Sequence, residues 1–297
     1  MTPLQILRST SARKQANQPS AEKRFFKNFD DLKDFDPQLK HKIPIGLYEF
    51  GMLDQFLPEK PLGKWQLAVN KGTTRIYKQI VDVKGSDLVM VKGYALFENI
   101  TIENIVYNLK DLPRRTAWDK TFDGFSLIEG DIQGNEITYN AIRAPWPVAD
   151  REFLQWRRTV YNDIKLPADG SRSPPALGAA PLPLVDALEC RILHRSAEHP
   201  AFPESTKSAV IRAESVISAY VFTQIKNKKD TYMIMLTQCD IRGVVPKWMV
   251  NSQAAKAPIQ WVDNFRKACN QTRDQFGDKI PKYVPKPVYT NGIKNKV

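Results

Sequence analysis

The run from Leu88 to Phe97 is apolar on both faces. Side chains alternate along an extended chain, so Leu88, Met90, Tyr94 and Leu96 fall on one side and Val89, Val91, Ala95 and Phe97 on the other. Such a strand needs cover above and below, which commits the chain to a sheet with packed layers on both faces. A second β-rich run, Arg75 to Val83, precedes it, and Lys84-Gly85-Ser86-Asp87 between them reads as a tight hairpin. Two further strands flank the turn from Gly130 to Gly134, and an alternating strand follows Asp150-Arg151-Glu152-Phe153. Leu188 to His194, Ala209 to Ile225 and Thr231 to Asp240 complete an expected antiparallel sheet of eight or nine strands.

Helical periodicity is confined to a few places. Thr101 can cap a helix whose Ile102, Ile105, Val106 and Leu109 share one face, and Pro113 is expected to end it. A long final helix starts at Pro246, where a missing N–H costs nothing. Its Trp261, Val262, Phe265, Ala268 and Cys269 recur at helical spacing, so one stripe must be buried, and Pro258 inside it should interrupt the hydrogen-bond ladder. Phe25, Phe26, Phe29, Leu32 and Phe35 alternate with charges as an amphipathic helix, followed by irregular chain around Pro44 and Pro58.

Residues 1–21 hold three basic side chains and no acid, which reads as a flexible basic tail or, alternatively, a mitochondrial transit peptide. Residues 163–186 carry five prolines and two glycines, an insertion that resists regular structure. Residues 277–297 form a second basic tail, either a weak dock for an anionic leaflet or a solvated end. One domain over 22–276 lies between the tails.

The formal net charge of +12 predicts attraction to polyanions, and an anionic membrane surface fits better than nucleic acid. No zinc-finger spacing, aromatic RNA-binding segment or basic recognition helix is present. Cys190, Cys239 and Cys269 are odd in number and widely spaced, which implies reduced thiols and neither a disulfide framework nor a metal set. His41, His194 and His199 belong to no catalytic or metal motif, so neither an enzyme nor a cofactor is expected. No apolar run reaches the roughly 18 residues that span a bilayer.

Four collinear blocks carry a family likeness: Lys64-Trp65-Gln66-Leu67, Arg115-Thr116-Ala117-Trp118-Asp119, the Pro145-Trp146-Pro147 loop running into Asp150-Arg151-Glu152-Phe153, and Gly243 to Asn251. With Val210-Ile211-Arg212-Ala213 they resemble the steroidogenic-acute-regulatory-related lipid transfer (START) domain over about residues 60–272. The resemblance implies an α+β helix-grip fold, in which a curved antiparallel sheet wraps the C-terminal helix and encloses a tunnel for one lipid. It also implies a monomeric, cytoplasmic carrier of a glycerophospholipid such as phosphatidylcholine, touching membranes transiently. A lipid-responsive sensor, or a carrier of sterol or ceramide, is the alternative.

The same resemblance assigns a site. Arg115 and Asp119 match the pair that holds phosphate and choline in phosphatidylcholine-transferring members, although two neighbouring residues of opposite charge also simply pair with each other. Tyr139, Asn140, Phe153, Arg157 and Val216 are expected in the pocket. Asn140, Phe153 and Val216 stand where an aromatic cage surrounds choline, so only one ring remains and choline specificity is in doubt. Asn140 also replaces a carboxylate that pairs with the arginine at position 157, which leaves Arg157 to meet a ligand phosphate, a water or solvent. Trp146, which can dip into a bilayer or fold back on Pro147, joins Trp248 and Met249 as the expected gate and membrane contact.

Overall fold

The computed structural model describes residues 41–42, 44–58, 65–83, 86–130, 134–144, 148–170, 172, 182–204, 210–243, 247–286, 289–290 and 293–294. In chain order they form α1 (Leu47–Leu53) with a 3₁₀ turn (Asp54–Phe56), β1 (Gln66–Lys71), β2 (Thr74–Val83), β3 (Ser86–Phe97), α2 (Ile102–Lys110) and α3 (Leu112–Trp118). Then come β4 (Phe122–Gly130), β5 (Asn135–Ile142), β6 (Arg151–Pro167), β7 (Leu184–Ser196), β8 (Ile211–Arg212), β9 (Glu214–Ile225), β10 (Thr231–Asp240) and α4 (Lys247–Phe276). A two-stranded hairpin of β11 (Tyr289–Thr290) and β12 (Ile293–Lys294) follows.

The ten-stranded sheet runs β1-β2-β3-β10-β9-β7-β6-β5-β4, and β8 pairs with β6 in parallel at the side of this path. All other pairings along it are antiparallel. Both faces are covered, as the two-sided β3 requires. Ala95 and Phe97 face a core shared with α2 and α4, whereas Met90 and Tyr94 face Ile45, Phe50, Leu53 and Leu57 of the segment around α1. That outer cover is further tied by Lys92 Nζ and Tyr94 Oη, which donate to the Pro58 carbonyl at 2.9 and 3.0 Å. Gly93 lets the inner layer close, because a Cβ there would lie 2.7 Å from Met235 Cγ and 2.9 Å from Ile76 Cδ1.

Four local expectations change. The irregular insertion expected over 163–186 is narrower, because β6 runs on to Pro167 and β7 begins at Leu184, its pairing partner. Pro113 does not end the helical region; it sits in the first turn of α3, capped by Asp111, where a residue without an N–H is tolerated. The chain around Pro44 is not all irregular, since α1 starts behind Gly46, whose N–H donates to Glu49 Oε2 at 2.6 Å. The expected strand from Ala209 to Ile225 is broken at Ala213, between β8 and β9. The 22–40 helix and the 1–21 tail lie outside the described residues.

The C-terminal half of α4 is pinned to the inner layer. Val262, Phe265 and Cys269 are buried. Phe265 stacks on Trp118 at 4.8 Å and meets Phe97 edge-on. Asn104 Nδ2 donates to the Cys269 carbonyl and Thr272 Oγ1 to Asn108 Oδ1, both at 3.0 Å, and Arg266 reaches the Leu96 carbonyl. These bonds pay the polar cost of burying a helix against a sheet. Pro258 lies before this region and removes one ladder bond inside the helix. No helix among the described residues is long and apolar enough to cross a membrane.

Phe265 is fully buried between two rings, so Phe265→Ala should cost roughly 3–5 kcal/mol through lost contact and a residual cavity. Equilibrium denaturation by urea measures it; a change of well under ~1 kcal/mol would mean that α4 does not close this core.

Candidate functional site

Between the inner face of the sheet and α2 and α3 lies a hollow of about 170 Å³. Its walls come from strand positions two apart: Phe153, Gln155 and Arg157 of β6, Ile192 and His194 of β7, Ser218 and Tyr220 of β9, with Asn140 and Ile142 of β5. Lys110 enters from the end of α2, Arg115 from α3, and Phe122 and Phe125 from β4. The volume is close to that of a buried cavity of about 150 Å³ that holds a benzene-sized guest.

One carboxylate organises its polar end. Glu136 Oε2 accepts from Arg157 Nε at 2.7 Å and lies 3.0 Å from Lys110 Nζ, and Glu136 Oε1 accepts from Tyr283 Oη at 2.7 Å. Lys110 also donates to Thr159 Oγ1 at 2.9 Å and sits over the Tyr283 ring. Burial alone would raise the Glu136 pKa, but Arg157 and Lys110 overcome it and hold the group at about 2. Burial, with help from Arg157, lowers Lys110 to about 8. His194 is brought down to about 3 by burial and by Arg157 and Arg115, so it is neutral at pH 7.

Arg115 and Asp119 form the second polar feature. Arg115 Nη2 lies 2.8 Å from Asp119 Oδ2, with both side chains buried. Asp119 also accepts from Trp261 Nε1 at 2.8 Å and from the Thr121 N–H and hydroxyl at 3.2 and 2.5 Å. The guanidinium lies over the rings of Trp118, Phe122 and Trp261 at 4.6, 5.0 and 5.4 Å. Its Nε and Nη1 are buried without a hydrogen-bond partner.

The expected residues divide accordingly. Arg115, Asn140, Phe153 and Arg157 border the hollow. Asp119 is present but serves Arg115, which is the pairing that two adjacent opposite charges already allow. Asn140 donates through Nδ2 to Gln155 Oε1 at 3.0 Å and leaves Oδ1 unpartnered. Tyr139 is on the other face of β5, its hydroxyl on Glu152 Oε2 at 2.7 Å and its ring on Phe202, because neighbours on a strand cannot both point inward. Val216 does not line the hollow; it lies near the register shift between Gln238 and Cys239, and Ser218 and Tyr220 take the inward places. Trp146 is outside the described residues, and the side chains of Trp248 and Met249 are too.

Arg157 is not left without a carboxylate. Glu136 supplies it, four residues before Asn140 and therefore on the same face of β5. That signal was present in the sequence, since period two places 136, 138 and 140 together. Lys110 and Tyr283 carried no comparable sign, because each arrives from a different element. Tyr283 brings the first part of the C-terminal tail down onto the domain, where Pro285 lies against Gly130.

Glu136 gives the sign of an acid response. Its folded pKa of about 2 lies below the ordinary 4.5, so the stability it contributes is whole above pH 4.5 and is lost as pH falls towards 2. Glu136→Gln should cost about 3–5 kcal/mol at pH 7, because it strands Arg157 and Lys110. Urea midpoints across pH 2–7 are expected to slope for the parent chain through this window and to be flatter for the variant; parallel curves would remove Glu136 from the account.

Residues 187–275, which span β7, β8, β9, β10 and most of α4, match the START domain. Rat phosphatidylcholine transfer protein is 23% identical over 205 residues, covering 69% of this chain and 83% of that protein. Human START domain-containing protein 10 is 22% identical over 222 residues, 74% of this chain and 66% of its own length. The crystal structure of human STARD10 superposes with a TM-score of 0.61 at 20% identity, covering 80% of this chain and 84% of that one. A sheet that grips its C-terminal helix gives this chain the fold of human STARD10, and residues 187–275 match the START domain in sequence.

Proposed function

We propose that this protein binds a single glycerophospholipid in the hollow between its sheet and α2 and α3 and carries it from one membrane to another. The observation that bears most weight is the hollow itself, apolar along Ile142, Phe153, Phe122 and Phe125 and polar at Arg115, the arrangement an amphiphile requires. Stripping roughly 30 methylene groups into water would cost on the order of 20 kcal/mol, so a carrier has to replace the bilayer with its own apolar wall. Two relatives with such a domain are named for transferring phosphatidylcholine or for the START domain itself, which agrees with this reading.

A hollow of about 170 Å³ is much smaller than a two-chain lipid, so loading must widen the space between sheet and helix. The C-terminal half of α4 is held by Asn104, Asn108 and Arg266, and the ladder is weakened at Pro258. Opening is therefore assigned to the half of α4 before Pro258. The exposed lysines Lys279, Lys282 and Lys286 beside the anchored Tyr283 would favour brief contact with an anionic leaflet. No step of this cycle needs covalent chemistry.

Transfer of a labelled phospholipid between vesicles, with the protein at catalytic amounts, tests the proposal. Acceleration supports a carrier; tight lipid binding without acceleration supports a sensor instead. Arg115→Ala combined with Asp119→Ala should slow transfer about tenfold while the chain keeps its circular dichroism. Pro258→Ala should restore a ladder bond and slow exchange while raising thermal stability; equal rates would move the opening elsewhere.

A further inference from the structure

We infer that the bound headgroup carries net negative charge, so that the ligand is an anionic phospholipid and not one with a quaternary ammonium. The inference rests on the carrier reading and narrows its ligand. Three cations, Lys110, Arg115 and Arg157, meet two carboxylates, Asp119 and Glu136, around the hollow, which leaves one positive charge unmatched. The other titratable groups there do not offset it. His194 is neutral, and burial raises the Tyr220 hydroxyl and the Cys239 thiol so that neither ionises at pH 7.

The donors that would meet an anion are already in place. Arg115 is 5% exposed; Asp119 takes its Nη2, the Tyr220 hydroxyl lies beside the guanidinium, and the buried Nε and Nη1 make no hydrogen bond of normal geometry. The Nε–H and Nη1–H groups point to different sides of the planar guanidinium, so each can meet one oxyanion oxygen singly. His194 Nδ1 is buried and unpartnered on the same wall, and in the neutral ring that carries its proton there it adds a further donor. An unmade bond of this kind inside a protein is costly, and a ligand oxyanion removes the cost.

Among the described residues the site offers a choline no free carboxylate and only the Phe153 ring of the expected cage. Both Asp119 oxygens are filled, Oδ2 by Arg115 and Trp261 and Oδ1 by Thr121. The ring faces of Trp118, Phe122 and Trp261 that would attract an ammonium are taken by the Arg115 guanidinium. The cage therefore serves an internal cation, and that cation serves the ligand.

The 297-residue chain, incubated with vesicles holding equal parts of phosphatidylcholine, phosphatidylethanolamine, phosphatidylglycerol and phosphatidic acid and then separated by size, reports its choice by native mass spectrometry. The anionic lipids should exceed phosphatidylcholine about tenfold in the bound pool. Arg115→Gln should erase that excess, and Lys226→Gln with Lys228→Gln, exposed lysines outside the site, should leave it intact. An excess lost in the lysine variant would assign it to surface adsorption and overturn the inference. A pool dominated by phosphatidylcholine would overturn it too while leaving the carrier reading in place, and a protein with no lipid would sink both. Inorganic phosphate that stabilises the chain against heat as well as anionic vesicles do would point to a free-anion site and refute a lipid headgroup. The parent chain's bound pool decides the question even where Arg115→Gln fails to fold.

Discussion

The interior of this domain depends on a single carboxylate shared between two cations. Glu136 holds Arg157 and Lys110 out of water, and without it the gap between sheet and helices would contain two stranded charges. Apolar side chains of equal volume would hold the layers together at least as well, so the ion cluster does not account for the stability of the fold. What it provides is polarity at depth, at the edge of the hollow. Tyr283 closes the cluster from the C-terminal side and ties the tail to the same carboxylate.

Around that point the sheet and α4 divide the work. Strand alternation gives the sheet an inner face that mixes Phe153, Ile192 and Tyr220 with Arg157 and His194, and an outer face closed by α1 and its neighbours. The aromatic stack of Trp118, Trp261, Phe265 and Tyr220 joins α3, α4 and β9 in one packed unit. Arg115 lies against that stack and points unpaired N–H groups at the hollow. Packing holds this end of α4 against the inner layer, and Pro258 further up removes one bond from its ladder.

Much of this was legible along the chain. Period two on Leu88 to Phe97 demanded a sheet covered twice, and both layers are there. The Thr101 cap and the stripe through Trp261, Val262 and Phe265 correctly placed α2 and the buried face of α4. Pairing of Arg115 with Asp119 was foreseen as the plain alternative to a headgroup contact, and it is what the geometry contains. Tyr139 was misplaced by setting it beside Asn140, although alternation forbids both from facing inward. The carboxylate for Arg157 was sought at 140 and stands at 136.

The amino-acid sequence by itself determined which segments are strands and helices, which of their faces are apolar and where turns fall, because these follow from side-chain period and local backbone preference. Only the tertiary structure decided which charges meet. Lys110, Glu136, Arg157 and Tyr283 come from four separate elements, and their pairing depends on how the sheet curls and where the tail returns. Coulomb energy and desolvation act through space at a few ångströms, so distance along the chain carries no record of them.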